Sequence, residues 1–232
     1  EMLVAVSMLS AENIFYMPGG SGGMISTDEN SVASRAAAAH RRFFSHEGDL
    51  PTLLNVYQSW RREAVYTTGK RGGDGNKLSH GEWCTRNFIN GRALVRAHDV
   101  RKQLSEICSL PADRNGLSLD VNSACGAEME VFFKCVCAGL FLQVASRIRA
   151  NGDVEAKSKG RSGMLQSTRG RYKTKIGGQE VSIHPSSSIF GRNPAPKCVV
   201  YTELLVTKKV YIRGTTQVRE EWLPEVAPNI FK

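Results

Sequence analysis

The feature that most constrains this chain is a change of hydrophobic period about two-thirds of the way along it. Up to about residue 150 the apolar residues recur at helical spacing, whereas beyond about residue 178 they fall into short β-branched runs. One periodicity cannot serve both patterns, so the core must divide between a helical part and a sheet part. With 232 residues the chain suffices for one large domain or two small ones, each able to bury a core.

The helical part opens with a short apolar helix over residues 3–9, halted by Pro18 and the glycine-rich run at 19–23. Residues 32–44 form an Ala-rich helical pattern. Gly48-Asp49 then precedes Pro51 and a helical run at 52–62, with Asp49 as N-cap. Residues 63–81 contain five glycines and read as a long surface loop. The longest helical pattern spans 83–108. At 100° per residue it sets Phe88 apart and gathers Ile89, Ala93, Ala97, Val100, Leu104 and Ile107 on one arc. Arg92, Arg96 and Gln103 share a flank with Asp99 close by, and Arg101 falls on the apolar arc, a place for a buried or interdomain ion pair. A second long helix, apolar nearly all round, is expected over about 125–150.

Residues 151–178, rich in Gly, Ser, Lys and Arg, read as a boundary. Strands are expected at 181–184, 198–207 and 210–217, with Lys208-Lys209 as a tight polar joint, before a closing segment at 222–231. The expected fold class is α+β: an N-terminal α-helical bundle, then a small all-β barrel of four or five strands. Its size suits an OB-fold, and an SH3-like barrel would look the same at this level.

Net charge is +9, and it is uneven: residues 151–232 carry 14 basic and 7 acidic side chains, and residues 1–150 carry 17 and 15. That excess points to an anionic partner, nucleic acid or an acidic membrane face. The longest near-apolar stretch, 131–142, contains Lys134 and is far short of the roughly 20 residues a bilayer span needs. The opening Glu1-Met2-Leu3 has no basic n-region, so neither a signal peptide nor a membrane is expected. The six cysteines form no CxxC pair and read as reduced core thiols of an intracellular protein. Gly69-Lys70 is followed by Arg71, not by the Ser or Thr of a phosphate loop. No G-x-S-x-G or HExxH is present, His46-Glu47 stands alone, and no carboxylate pair takes acid and base roles. The chain by itself is expected to lack catalysis.

Several segments are nonetheless distinctive. Gly48-Asp49-x-x-Thr52-Leu53-Leu54-Asn55-x-Tyr57-x-x-Trp60 resembles the G-D-H-L-T-L-L-N-x-Y segment of DEAH-box RNA helicases. So does Trp83-Cys84-x-x-Asn87-Phe88-x-x-x-Arg92-x-Leu94-x-Arg96-Ala97-x-x-Val100-Arg101-x-Gln103-Leu104. Further on, Ile183-His184-Pro185-Ser186-Ser187-x-x-Phe190, Val200-Tyr201-x-Glu203-Leu204-x-x-Thr207-x-Lys209-x-Tyr211-x-Arg213 and Trp222-Leu223-x-Glu225-x-Ala227-Pro228 are similar to that family in order. The resemblance implies the C-terminal region of such a helicase: the end of a winged-helix region with the first ratchet helix at 1–17, a helical ratchet-like domain at 18–150, a basic linker or insertion at 151–178, and an OB-fold domain at 179–232. Leu50-Pro51 departs from the family's His-Leu, and 63–81 and 151–178 are longer than its usual loops.

The resemblance also implies function. Two RecA-like motor domains of the same protein would bind ATP and Mg, and no cofactor is expected in this chain. Its helical and OB domains would hold the backbone of single-stranded RNA, with Asn87, Arg92, Arg96, Gln103, His184, Ser186, Ser187, Thr207, Lys208, Lys209 and Arg213 as the candidate contacts. Charged and neutral donors of these kinds read phosphate and ribose without reading bases. Arg92 and Arg96 would equally suit a solvated face with Asp99 as ion-pair partner, and 185–187 a simple turn. Trp60, Trp83 and Trp222 suit core positions. A second reading is a docking module for a G-patch or other activator protein or a ribonucleoprotein partner. The nucleus is the expected location, with the cytoplasm or an organelle as alternatives.

Overall fold

The computed structural model describes residues 1–11, 13–18, 31–65, 78–109, 120–121, 123–126, 128–148 and 170–231. The chain divides into two compact units. The first comprises Glu1–Phe44 and Pro51–Cys125, the second Ser45–Leu50 and Gly126–Lys232. The division thus falls ahead of 151–178, and the second unit also takes in a short piece of upstream chain.

The first unit is built from α1 (Met2–Leu9), α2 (Val32–Arg41), α3 (Asp49–Glu63), a short parallel pair β1 (Ala64–Val65) and β2 (Leu78–Ser79), α4 (His80–Asn87) and α5 (Gly91–Cys108). The first two residues of α3 belong to the second unit. α1 lies along α5, burying Val4, Ala5 and Met8 on one helix and Ala93, Leu94 and Ala97 on the other. Trp60 of α3 and Trp83 of α4 are enclosed, as core tryptophans should be. Their indole N–H groups donate to His80 Nδ1 (3.1 Å) and Glu63 Oε2 (3.1 Å).

The helix expected over 83–108 is two helices. Phe88 turns the backbone left-handed (φ 53°), and the Asn90 side chain then caps α5 by accepting from Ala93 N–H at 3.2 Å. A reciprocal Ser79–Glu82 capping box starts α4. The apolar arc is covered only in part: Leu104 is half-buried and Ile107 is exposed. Of the expected 63–81 loop, both ends are regular structure, and residues 66–77 lie outside the described residues.

The second unit corrects the expected helix at 125–150. α6 (Met129–Gly139) stops early, and β3 (Val144–Arg147) follows. Val144 and Ala145 are fully buried in a sheet. Nor is α6 buried all round, as its apolar pattern implies, since Val131 and Cys135 face solvent. The remaining elements are β4 (Arg171–Thr174), β5 (Glu180–Ile183), β6 (Cys198–Val200), β7 (Glu203–Val206), β8 (Val210–Arg213), β9 (Thr216–Gln217) and α7 (Trp222–Val226). β4 arises within 151–178, so that stretch falls inside the second unit rather than between the two units. Its residues 151–169 lie outside the described residues.

The hydrogen-bonded order is β7-β8-β5-β4-β3-β6-β9. Two of the gaps are only apparent. β6 runs into β7 across Tyr201-Thr202, and β8 runs into β9 across Gly214-Thr215. Val200 faces Thr216 and Glu203 faces Arg213, so one register runs through both halves of a single long hairpin. The sheet is therefore five physical strands. β3 pairs β4, β4 pairs β5, β5 pairs the β8–β9 strand, that strand pairs β6–β7, and β6 returns to β3. Only β5 and β8 are parallel. This closed five-stranded order is consistent with an OB-fold. Tyr172, Ala145, Val199 and Ile212 fill its core.

Ser45–Leu50 lies against the last strand. Gly48 bridges Thr216, Asp49 N–H donates to Thr215 O (2.8 Å), and Gln217 N–H donates to Glu47 O (2.7 Å). A Cβ on Gly48 would lie 2.3 Å from Thr215 O, and its φ of +129° suits glycine alone.

Candidate nucleic-acid interface

Strand alternation sorts the barrel's side chains. Tyr172, Thr174, Val181, Ile183 and Ile212 point inward, so Lys173, Ser182, His184, Tyr211 and Arg213 lie on the outer face of β4, β5 and β8. Ser182 stands beside both Arg171 and Tyr211 in register. The His184 and Tyr211 rings meet edge to face at 5.6 Å. His184 Nδ1 accepts the Ser186 N–H (3.1 Å), which leaves the ring's proton on Nε2, a donor. Ser186 Oγ lies 2.7 Å from the same nitrogen. Burial and the nearby Arg213 charge hold His184 below its ordinary value, so it acts as a neutral donor near pH 7.

Between β7 and β8 the chain turns tightly. Thr207 N–H and hydroxyl both donate to Lys209 O at 2.9 Å. The hydroxyl of Thr207 is thus engaged in building the turn, while Lys208 and Lys209 project. Lys209, Tyr211 and Arg213 alternate onto one face. Arg213 is paired with Glu203 at 3.4 Å and Arg171 with Glu180. Lys173, Lys208 and Lys209 enter no ion pair among the described residues.

Ser187 is buried with its hydroxyl 2.6 Å from Thr215 Oγ1, so it serves the interior rather than the surface. Its neighbour Ser188 is held by Asp49. Asp49 Oδ1 accepts from Ser188 N–H (2.7 Å) and hydroxyl (2.9 Å), and Oδ2 accepts from Thr215 N–H (2.7 Å). Asp49 is therefore a tie within the second unit, not the N-cap of its own helix.

In the first unit, Arg92, Arg96, Asp99 and Gln103 are all exposed along α5. Neither arginine pairs with Asp99 or any other carboxylate among the described residues. Asn87 does not join them: it ends α4, is 3% exposed, and donates to Trp83 O at 2.9 Å. The half-buried Arg101 has a buried Nε with no hydrogen-bond partner, and the expected ion pair is absent among the described residues. No group of three or more His, Cys, Asp or Glu is placed to hold a metal among the described residues, and no helix is long and apolar enough to cross a membrane.

Sequence reasoning does not single out Lys173, Tyr211 or the true role of Asp49. Lys173 lies in the stretch that reads as a boundary. Tyr211 has a signal, its two-residue spacing from both Lys209 and Arg213. Asp49 has none, because its partners are 139 and 166 residues away.

Residues 133–230 match the family model for the oligonucleotide/oligosaccharide-binding (OB) fold. Over its full length the chain is 31% identical to the pre-mRNA-splicing factor ATP-dependent RNA helicase DEAH10 of Arabidopsis thaliana, covering 27% of that protein. It is 33% identical to the ATP-dependent RNA helicase DHX33 of Mus musculus, covering 26%, and 32% identical to the pre-mRNA-splicing factor ATP-dependent RNA helicase prp22 of Schizosaccharomyces pombe, covering 15%. The chain thus spans about a quarter or less of the length of these relatives. Barrel order and family model together define an OB-fold module. More particularly, the chain corresponds over its full length to the C-terminal part of DEAH-box ATP-dependent RNA helicases.

Proposed function

We propose that this chain is the C-terminal accessory module of an ATP-dependent DEAH-box RNA helicase. It holds the backbone of single-stranded RNA while RecA-like motor domains of the parent protein bind ATP and Mg and move the strand. The observation that carries this reading is the outer barrel face, where Lys173, Lys208 and Lys209 enter no ion pair among the described residues and stand beside Tyr211, His184 and Arg213. Unpaired cations gain most from phosphate, because no internal ion pair must first be broken, and their contacts are indifferent to sequence. In the helical, ratchet-like unit, Arg92, Arg96 and Gln103 offer donors of the same kind. Relatives named as pre-mRNA-splicing factors support the nucleus as the place of action.

The test is a salt titration of poly-U binding. Affinity should fall steeply with salt, and Arg92→Ala with Lys209→Ala should lower the log–log slope by about 0.7 for each phosphate no longer neutralised. A flat response, or a slope unchanged in the double variant, refutes the reading.

A groove in the second unit favours the docking function as a second role. It is about 630 Å3 and is lined by Glu47, Glu128 and Glu130, by Lys134 and Arg219, and by Val131, Phe133 and Trp222; Glu130 is paired with Arg219 at 3.1 Å. Apolar side chains among charges of both signs suit an activator protein, such as a G-patch partner, better than a phosphate backbone.

A further inference from the structure

We propose that a groove in the first unit, between Tyr16 and Arg92, receives one nucleobase of the bound strand. This rests on the RNA-holding reading and adds a base contact to a surface so far described only through phosphate donors. The groove is open, with a volume of about 700 Å3, within the range of small-ligand sites. Tyr16 and Phe88 form its aromatic wall, Thr85 and Asn90 line it with polar groups, and Arg92 stands at its rim.

Three features make this more than an exposed tyrosine. First, Tyr16 is 56% exposed, yet its backbone is fixed: its N–H donates to Phe88 O at 2.9 Å, Phe15 bridges Ile89, and Asn90 N–H donates to Ile14 O at 2.8 Å. An aromatic ring held open to solvent on a fixed backbone loses little freedom when a base stacks on it. Second, Phe88 keeps a left-handed backbone (φ 53°), which a bulky residue adopts only under strain. That conformation is held by the Tyr16 N–H and by His40 Nε2, which donates to the same carbonyl at 2.9 Å, and it leaves the half-buried ring lining the groove. Third, the polar groups are unspent. Asn90 uses its oxygen as the α5 cap, so both amide N–H groups remain for base acceptors, and Arg92 has no carboxylate partner among the described residues. Gly81 adds to the opening, since a Cβ there would meet nothing within 4 Å. An aromatic wall, neutral donors and one rim cation match a base with its phosphate.

The test measures binding of a fluorescent U-oligomer, the same oligomer with abasic sugars, and free uridine monophosphate to the 232-residue chain. Tyr16→Ala should weaken U-oligomer binding about 5- to 150-fold, the worth of one base–aromatic stack, while Tyr16→Phe retains it. The salt slope should stay as in wild type for Tyr16→Ala and fall by about 0.7 for Arg92→Ala. The abasic strand should bind wild type and Tyr16→Ala alike. Uridine monophosphate competing at the affinity of the oligomer would overturn the assignment to a strand in favour of a free nucleotide. If Arg92→Ala weakens the oligomer while Tyr16→Ala changes it less than twofold, the base contact is refuted and the phosphate reading stands. If wild type binds no oligomer, both fall. Unchanged melting of Tyr16→Ala excludes misfolding as the cause of any loss.

Discussion

Removing the Asp49 carboxylate should loosen the barrel's last strand. Its two oxygens accept two backbone N–H groups at 2.7 Å and the Ser188 hydroxyl at 2.9 Å. Hydrogen bonds to a charged group contribute about 1.5–3 kcal/mol each, less than additively when they share one acceptor group. Asp49→Ala leaves the Ser188 and Thr215 N–H groups without acceptors, so a loss of about 3 kcal/mol is expected. With a urea m-value of about 2 kcal/mol/M, the midpoint should fall by about 1.5 M. A competing cause is the position of Asp49 in the first turn of α3, where a negative charge is worth only about 0.3–1 kcal/mol. Asp49→Ser separates the two: it keeps a helix-start acceptor and cannot span Ser188 and Thr215. Urea unfolding with hydrogen exchange of peptides covering 210–218 and 52–62 reads both. A loss below about 1 kcal/mol, or exchange rising in α3 while β9 stays protected, would refute the tie.

Gly48→Ala should cost more than about 2 kcal/mol by melting, because its Cβ meets Thr215 O and its φ is +129°, whereas Gly126→Ala, with open space around it, should cost about 1 kcal/mol. Burial lowers the pKa of His40, His80 and His98 from the ordinary 6.5, so each is neutral near pH 7 in the folded first unit and takes up its proton at a lower pH than in the unfolded chain. The unfolded chain then binds more protons below pH 6.5, so stability should be full above that pH and decline as pH falls; a melting midpoint that rises from pH 7 to pH 5.5 would contradict this. Burial pushes the Cys84 thiol up to about 11 and Cys198 to about 12, so iodoacetamide at pH 8 should label exposed Cys135 first and those two only after unfolding, as read by mass spectrometry.

What the sequence reveals depends on how local the cause is. The hairpin around Lys208-Lys209, the apolar stripe through Ala93 and Ala97 and the buried tryptophans all follow from neighbours a few positions away. The barrel's first strand reads as helix because Val144 and Ala145 continue an apolar run, and only their pairing with β4 and β6 makes them a strand. The break at Phe88 is foreshadowed by its place off the arc, but the left-handed turn depends on contacts from Tyr16 and His40. For the candidate site, residue types are legible and accessibility is not: Asn87 and Ser187 are of the right chemistry, yet both are taken inside by packing.

The seating of Ser45–Leu50 against β9 also has a consequence in time. On the ribosome, Asp49 is made 166 residues before Thr215. The helical unit can assemble as it emerges, since α1, α4 and α5 all precede residue 126. The barrel cannot: the groups that fix Gly48 and Asp49 are made long after those two residues, and such distant pairings form slowly. Until Thr215 and Thr216 emerge, one edge of the growing barrel stays unmatched. The interval exposes it to wrong pairing, so of the two units the barrel has the greater need of a chaperone.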